Sequence, residues 1–225
     1  MAAGFDRIAR AYRWLEYLSF GPMLERCRFY RLPQLSACNQ ALVLGDGDGR
    51  FLSRLLRRNP RLHASAVDAS PAMLRLLEER IITECGAEGA RSRLTIRCED
   101  ARNFSPSGQY DLVATHFFLD CLSSEEVRAL ADRIRPSLKI DAMWIVSDFA
   151  VPRGIFAFPA RLVVSSLYAA FGILTGLKIR RLPRHGEALR SAGFFLADRK
   201  EWMGGLLFSE LWTSEATTGT HAVSH

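Results

Sequence analysis

Hydrophobic residues recur at helical spacing from the start of the chain. In "FDRIARAYRWLEYLSFG", Phe5, Ile8, Ala9, Tyr12, Leu15 and Leu18 fall at intervals of three and four, which predicts an amphipathic helix ending near Gly21. A short second helix is expected over 22–31, stopped before Pro33. From residue 41 the pattern changes to apolar runs alternating with amphipathic ones. "ALVLG" (41–45) reads as a buried strand and "GRFLSRLLRR" (49–58) as a helix ending before Pro60. "LHASAVD" (62–68) is a second strand. It is followed by the helix "SPAMLRLLEERIITEC" (70–85), with Ser70 as N-cap and Pro71 at its first position. "RLTIRCED" (93–100) and "YDLVATHFF" (110–118) are the third and fourth strands. "SSEEVRALADRIR" (123–135) is a helix with capping-box spacing between Ser123 and Glu126, and "AMWIVSDF" (142–149) is the fifth strand.

Strands alternating with helices at this spacing predict a doubly wound α/β fold, its parallel sheet joined by right-handed crossovers. "PRHGEALRSAG" (183–193) reads as a further helix closed by Gly193. "FFLADRKEWMGGLLFSELW" (194–212) supplies two last strands as a hairpin around Gly204–Gly205, giving seven strands, mostly parallel. The expected organisation is one domain over 1–212, with helices over 1–38, a core over 41–150 and further helices over 151–192. The small, polar residues 213–225 are expected to be a disordered tail.

Composition narrows the function classes. A chain of 225 residues with 48% hydrophobic content can bury a full core. Its net charge of +6 is dispersed, and the basic clusters Arg57–Arg58 and Lys178–Arg181 lack interleaved aromatics, so nucleic acid is not the expected partner. Five scattered cysteines with no CxxC pair indicate neither a zinc site nor a disulfide framework, and suit a reducing cytoplasm. Asp6, Arg7 and Arg10 near the start do not resemble a signal peptide. The apolar stretch 155–174 is interrupted by Pro159 and Arg161 and carries Ser165 and Ser166 in its middle. It reads as a buried or lid helix, with a membrane-surface helix or a homodimer interface as alternatives.

The candidate chemistry begins at "LGDGDGR". A strand, a glycine turn and a helix at this point in a doubly wound sheet place a ligand over the strand ends. A dinucleotide site wants GxGxxG, and here the third position is Arg50. Asp46 and Asp48 would also set like charges beside a pyrophosphate, costing roughly a few kcal/mol at an effective dielectric near 20. A sulfonium ligand is cationic and tolerates those acids. Asp68 ends the next strand, where a carboxylate accepts from both hydroxyls of a ribose; a helix-terminal acid is the plainer alternative. Asp100 follows the third strand, where it can accept from an adenine amino group, with Glu99 as competitor.

"VLGDGDGRFL", "AVDASPAML", "EDARNF" and "YDLVATHFFLDCL", in this order, resemble class I S-adenosylmethionine-dependent methyltransferases. The opening helix is similar to that of the ubiquinone/menaquinone-biosynthesis C-methyltransferase group. The resemblance implies a Rossmann-like methyltransferase fold with S-adenosyl-L-methionine as cofactor and no metal. Gly45, Gly47 and Gly49 would line its methionine part, Asp68 with Ala69 its ribose, and Asp100 with Ala101 its adenine. Thr115 and His116 would border the methyl group, and Tyr12 would close over the cofactor. One departure stands out: these enzymes often carry an acid two positions before the first glycine, to hold the methionine ammonium, and this chain has Val43. Asp46 or Asp48 is placed to compensate, unless both point to solvent.

Three residues are candidates for the chemistry. His116 is the first choice as a base, Asp120 can orient it or act alone, and Asp148 ends the fifth strand at the expected pocket rim. No asparagine–proline–proline–aromatic tetrad is present, so the expected acceptor atom is oxygen or carbon. Phe156, Phe158, Leu167, Tyr168 and Phe171 in the insertion suit a hydrophobic small-molecule acceptor. Two other readings stay open: a binding or assembly protein that kept the fold without the chemistry, and a nicotinamide-dependent oxidoreductase.

Overall fold

The computed structural model of the protein describes residues 22–150 and 183–214. Five parallel strands alternate with helices: β1 (Gln40–Leu44), β2 (His63–Asp68), β3 (Leu94–Cys98), β4 (Tyr110–His116) and β5 (Leu138–Phe149). Two further strands, β6 (Phe195–Trp202) and β7 (Leu207–Thr213), form a hairpin. β7 lies antiparallel between β5 and β6, so the order across the sheet is β3-β2-β1-β4-β5-β7-β6. The winding direction reverses between β1 and β4. The connections leaving these two strands diverge, opening a crevice at their carboxyl ends.

The described helices are α1 (Pro22–Phe29), α2 (Arg50–Arg58), α3 (Pro71–Cys85), α4 (Ala87–Arg93), α5 (Ser124–Ile134) and α6 (His185–Ser191). Local chemistry sets their starts. Ser70 Oγ accepts from the Met73 amide at 3.3 Å ahead of Pro71. Ser123 and Glu126 close a reciprocal capping box, with bonds of 3.2 and 2.7 Å.

Alternation along the strands feeds two cores. Leu42, Leu44, Val113, Trp144 and Val146 face α5 and α6, where Val127, Leu130, Ala131, Ile134 and Leu189 complete the layer. Ala41, Val43, Ala114 and Ile145 face α2 and α3, against Phe51, Leu55 and Leu77. α1 is joined to the far half of the sheet: the Cys27 thiol donates to Phe208 O, and the buried Arg31 guanidinium just beyond it donates to Ser209 O at 3.1 Å.

Several boundaries differ from expectation. α4 was not foreseen, because "AEGARSR" buries only Ala90 and so lacks an apolar stripe. β5 begins at Leu138 instead of residue 142, continuing through Asp141 at φ 61° and a shift in its register with β4. β4 stops at His116 because Phe117 adopts φ 54°, which ends the extended conformation. α1 ends at Phe29, two residues short of the expected 31 and ahead of Pro33 as expected, and a separate 3₁₀ turn (Leu32–Leu35) carries Pro33 in its first turn. β7 runs through Thr213, so the first residue assigned to the tail belongs to the sheet. The opening helix with Tyr12, and the stretch 155–174, lie outside the described residues. Among the described residues no helix is long and apolar enough to cross a membrane.

Candidate active site

The chain leaves β1 at Gly45 and enters α2 at Arg50. Gly45, Gly47 and Gly49 all have left-handed backbone, at φ 66°, 61° and 77°. Their surroundings differ. A Cβ on Gly49 would lie 2.8 Å from Leu77 Cγ, and one on Gly45 would meet the ring of Phe118. On Gly47 the nearest atom among the described residues would be Met73 Sδ at 3.9 Å, so a Cβ there makes only an ordinary contact. Packing excludes a side chain at the two ends of the turn, while the middle stays accessible.

The two acids of the turn have separate roles. Asp48 Oδ2 accepts from Arg80 at 2.9 Å and from Arg50 at 3.2 Å, and Arg80 also donates to the Asp48 carbonyl at 2.8 Å. Asp48 is therefore an anchor between the turn and α3. Asp46 turns the other way: its Oδ2 accepts from the Leu52 amide at 2.9 Å, in the first turn of α2. Its Oδ1 is buried and has no partner among the described residues. Burial pushes this carboxyl up to about 6, against the opposing pull of Arg28 and the Leu52 amide. Neither acid points to solvent.

Asp68, at the end of β2, stands beside the backbone of Gly47. Its Oδ1 accepts from the Ser70 amide at 2.8 Å, and burial raises its pKa against the Ser70 and Gly47 amides. Ala69 next to it is exposed. Asp100 is half-buried and occupied: both its oxygens accept from Arg102 Nε at 3.0 Å, which lowers its pKa. Ala101 is buried, its carbonyl accepting from Arg133 at 3.0 Å.

Two placements on β4 correct the sequence reading. Thr115 is directed into the sheet. Trp144 Nε1 donates to its Oγ1 at 3.1 Å and the hydroxyl donates to Ile145 O at 3.3 Å, so its side chain does not border the crevice. His116 lies on the opposite face, 3% exposed, with its ring centroid 4.1 Å from that of Phe51. Neither ring nitrogen has a hydrogen-bond partner among the described residues. Burial, then the charge of Arg28, holds His116 well below the ordinary histidine range. Its surroundings therefore favour the neutral imidazole over the charged form.

Asp120 and Asp148 meet at the adjoining strand ends. Asp148 Oδ2 accepts from the Asp120 amide at 3.1 Å and Oδ1 from its own neighbour Phe149 at 2.8 Å. Burial, then the Asp120 carboxylate, raises Asp148 well above the ordinary carboxylate range. Two residues that the motifs did not single out also belong here: Arg28 on α1, and Phe118, whose ring covers Gly45. Both are set by contacts between elements distant in sequence, which no local pattern announces.

A seven-stranded sheet in this order, with a glycine turn after β1 and an acid at the end of β2, defines the class I methyltransferase fold. Residues 42–144 match the family model described as a methyltransferase domain. Over 72 residues the chain is 32% identical to malonyl-[acyl-carrier protein] O-methyltransferase 1 of Ilyobacter polytropus, a stretch covering 32% of this chain and 24% of that protein. The chain thus spans about a quarter of the length of the curated relative it matches. Among solved structures, mitomycin 7-O-methyltransferase is similar with a TM-score of 0.64 at 18% identity, over 86% of this chain and 54% of that one. The N-methyltransferase NodS of Bradyrhizobium japonicum, in complex with S-adenosyl-L-homocysteine, has a TM-score of 0.59 at 14% identity, over 84% of this chain and 87% of that one. At such identities these likenesses concern the fold. Residues 42–144 thus match a methyltransferase domain, and the sheet around them has the fold of the class I methyltransferases.

Proposed function

We propose that the protein transfers the methyl group of S-adenosyl-L-methionine to an oxygen atom of a hydrophobic small molecule. The observation that carries this reading is the glycine turn after β1, uncrowded at Gly47 among the described residues, with the Asp68 carboxylate beside it at the end of β2. A nucleoside laid there can donate its ribose hydroxyls to Asp68, a charge-assisted contact. The residues suit a cationic sulfonium: Asp48 is neutralised by Arg50 and Arg80, and Asp46 keeps one buried oxygen unpartnered. Arg50 in place of a third glycine weighs against a nicotinamide dinucleotide. The similarity to malonyl-[acyl-carrier protein] O-methyltransferase 1 and to mitomycin 7-O-methyltransferase supports oxygen over carbon as acceptor atom. Five unpaired thiols support a reducing, cytoplasmic setting.

The cofactor, when bound, supplies the activated methyl group; the chain aligns the reactants and manages the proton. Burial favours the neutral forms of His116 and Asp148, and we assign to Asp120, whose amide bonds Asp148, the role of the carboxylate that takes the proton of an acceptor hydroxyl. The acceptor oxygen bonds the methyl carbon as the carbon–sulfur bond breaks, its electron pair staying on sulfur. The test is incubation with methyl-labelled S-adenosyl-L-methionine and a panel of phenols, quinols and carboxylic acids. Label in an ether or ester supports the proposal. Cofactor binding with no transfer to any acceptor selects the non-catalytic reading, whose support is Val43.

A further inference from the structure

The outer face of α2 carries one kind of side chain. Phe51, Leu52, Ser53, Leu55 and Leu56 are buried, and each of the four other residues of the helix is an arginine: Arg50, Arg54, Arg57 and Arg58. Arg61, exposed just beyond the helix, extends the row. Carboxylates at the borders of the face answer two of the five. Arg50 lies 3.2 Å from Asp48 and 3.7 Å from Glu25 of α1, and Arg57 lies 3.8 Å from Glu84 of α3. Arg54, Arg58 and Arg61 are exposed, and among the described residues none of them has a carboxylate within ion-pair distance.

The fold gains little from this arrangement. Arg54 and Arg58 stand one turn apart on the same side of the helix, where like charges repel. The helix dipole favours Arg57 and Arg58 in the last turn but does not account for Arg54 in the middle. Arg54 is nevertheless held in place: its guanidinium lies over the ring of Phe29 of α1, 3.9 Å from the centroid. A guanidinium over an aromatic face still has its in-plane N–H groups for an external acceptor.

The dimensions of the face select its partner. Arg54 and Arg58 are about 6 Å apart along the helix axis, the same rise that separates carboxylates four residues apart on a second helix. Each arginine fork can bind one such carboxylate through two N–H bonds. The face is one helix wide with Glu25 and Glu84 at its margins, which disfavours a broad polyanion such as duplex nucleic acid. An anionic membrane surface would be met by an apolar fringe beside the charges, and the outer face of α2 has no apolar residue.

We propose that Arg54, Arg58 and Arg61 form a docking surface for an acidic helix of a partner protein. The proposal goes beyond the transfer reaction and does not depend on it.

The test is fluorescence anisotropy of a labelled, alanine-based helical peptide with glutamates at every fourth position, titrated with the full chain at low salt. Saturable binding is expected, weakening as salt is added. Replacing Arg54, Arg58 and Arg61 together by Gln is expected to weaken it by about tenfold or more, each exposed ion pair contributing a few-fold. The double variant Arg58→Gln, Arg61→Gln leaves the Arg54–Phe29 contact intact and is expected to weaken it by about threefold or more. A peptide of the same composition with its glutamates out of register is expected to bind about threefold more weakly than the aligned one. Absence of saturable binding, unchanged affinity in the double variant, or equal affinity for the two peptides overturns the proposal. Tighter binding of duplex DNA or of phosphatidylserine vesicles through the same arginines also overturns it.

Discussion

The ring of His116, the last residue of β4, packs 4.1 Å from the ring of Phe51 in the first turn of α2. This contact couples the end of a central strand to the helix that the glycine turn feeds. Phe51 is fully buried, so Phe51→Ala is expected to cost about 3–5 kcal/mol in urea unfolding. His116 is expected to show no NMR titration between about pH 5.5 and 8 in the wild-type chain. A histidine held neutral by burial loses stability as pH falls below its unfolded value near 6.5, because the unfolded chain then binds the extra proton. His116→Phe is expected to flatten that acid-side loss.

Asp120 and Asp148 make opposite demands on pH. Asp148 is raised above its unfolded value, so its contribution to stability is present at low pH and is lost as pH rises through the folded pKa. The Asp120 charge is, after burial, the largest cause of that rise. Asp120→Asn is therefore expected to increase stability at pH 8 by about 1 kcal/mol or more, with the difference from wild type vanishing below about pH 4. In the same variant kcat is expected to fall by about 10²-fold or more for a protonated acceptor. A variant equally active with phenols at every pH would remove Asp120 from the proton path.

Asp68 stands beside the backbone of Gly47 and caps its own turn through Ser70. Asp68→Ala loses that local bond and is expected to lower the stability of the ligand-free chain by about 1 kcal/mol. The thermal shift produced by millimolar S-adenosyl-L-homocysteine is expected to disappear. A retained shift would place the ribose elsewhere.

Gly47 and Gly49 separate binding from folding. At Gly49 a Cβ would press on the Leu77 side chain and backbone at 2.8–3.1 Å, in a left-handed conformation. Gly49→Ala is expected to destabilise the chain by about 2–4 kcal/mol. Gly47→Ala carries only the conformational cost, about 1–2 kcal/mol, and sets a methyl group where the proposed ligand would lie. It is expected to lose ligand binding while keeping a cooperative unfolding transition. Far-UV circular dichroism melts with and without S-adenosyl-L-homocysteine distinguish the two.

Much of the architecture was legible before any coordinates. Apolar runs such as "ALVLG", and caps such as Ser70–Pro71 and Ser123–Glu126, act within a few residues of themselves, and each lies where the pattern placed it. α4 escaped notice because a helix that buries one alanine leaves no period to read. The site was legible as a set of positions along the strand ends. The work done by each position was not: Asp46 and Asp48 are the same residue type two places apart, and only Arg80, reaching in from α3, separates their roles.

Thr115 and His116 show the same division. Strand alternation alone sends adjacent side chains to opposite faces of the sheet. Which face holds a tryptophan to bond a hydroxyl, and which a phenylalanine to cover an imidazole, depends on β5 and α2, distant in sequence. The sequence by itself determined the strands, the helices, their order and the glycine turn, because those follow from short-range periodicity and backbone preference. The tertiary structure alone decided which acids are anchored, which is unpaired and which histidine is silenced. Burial and charge partnership are set by residues brought together across the fold.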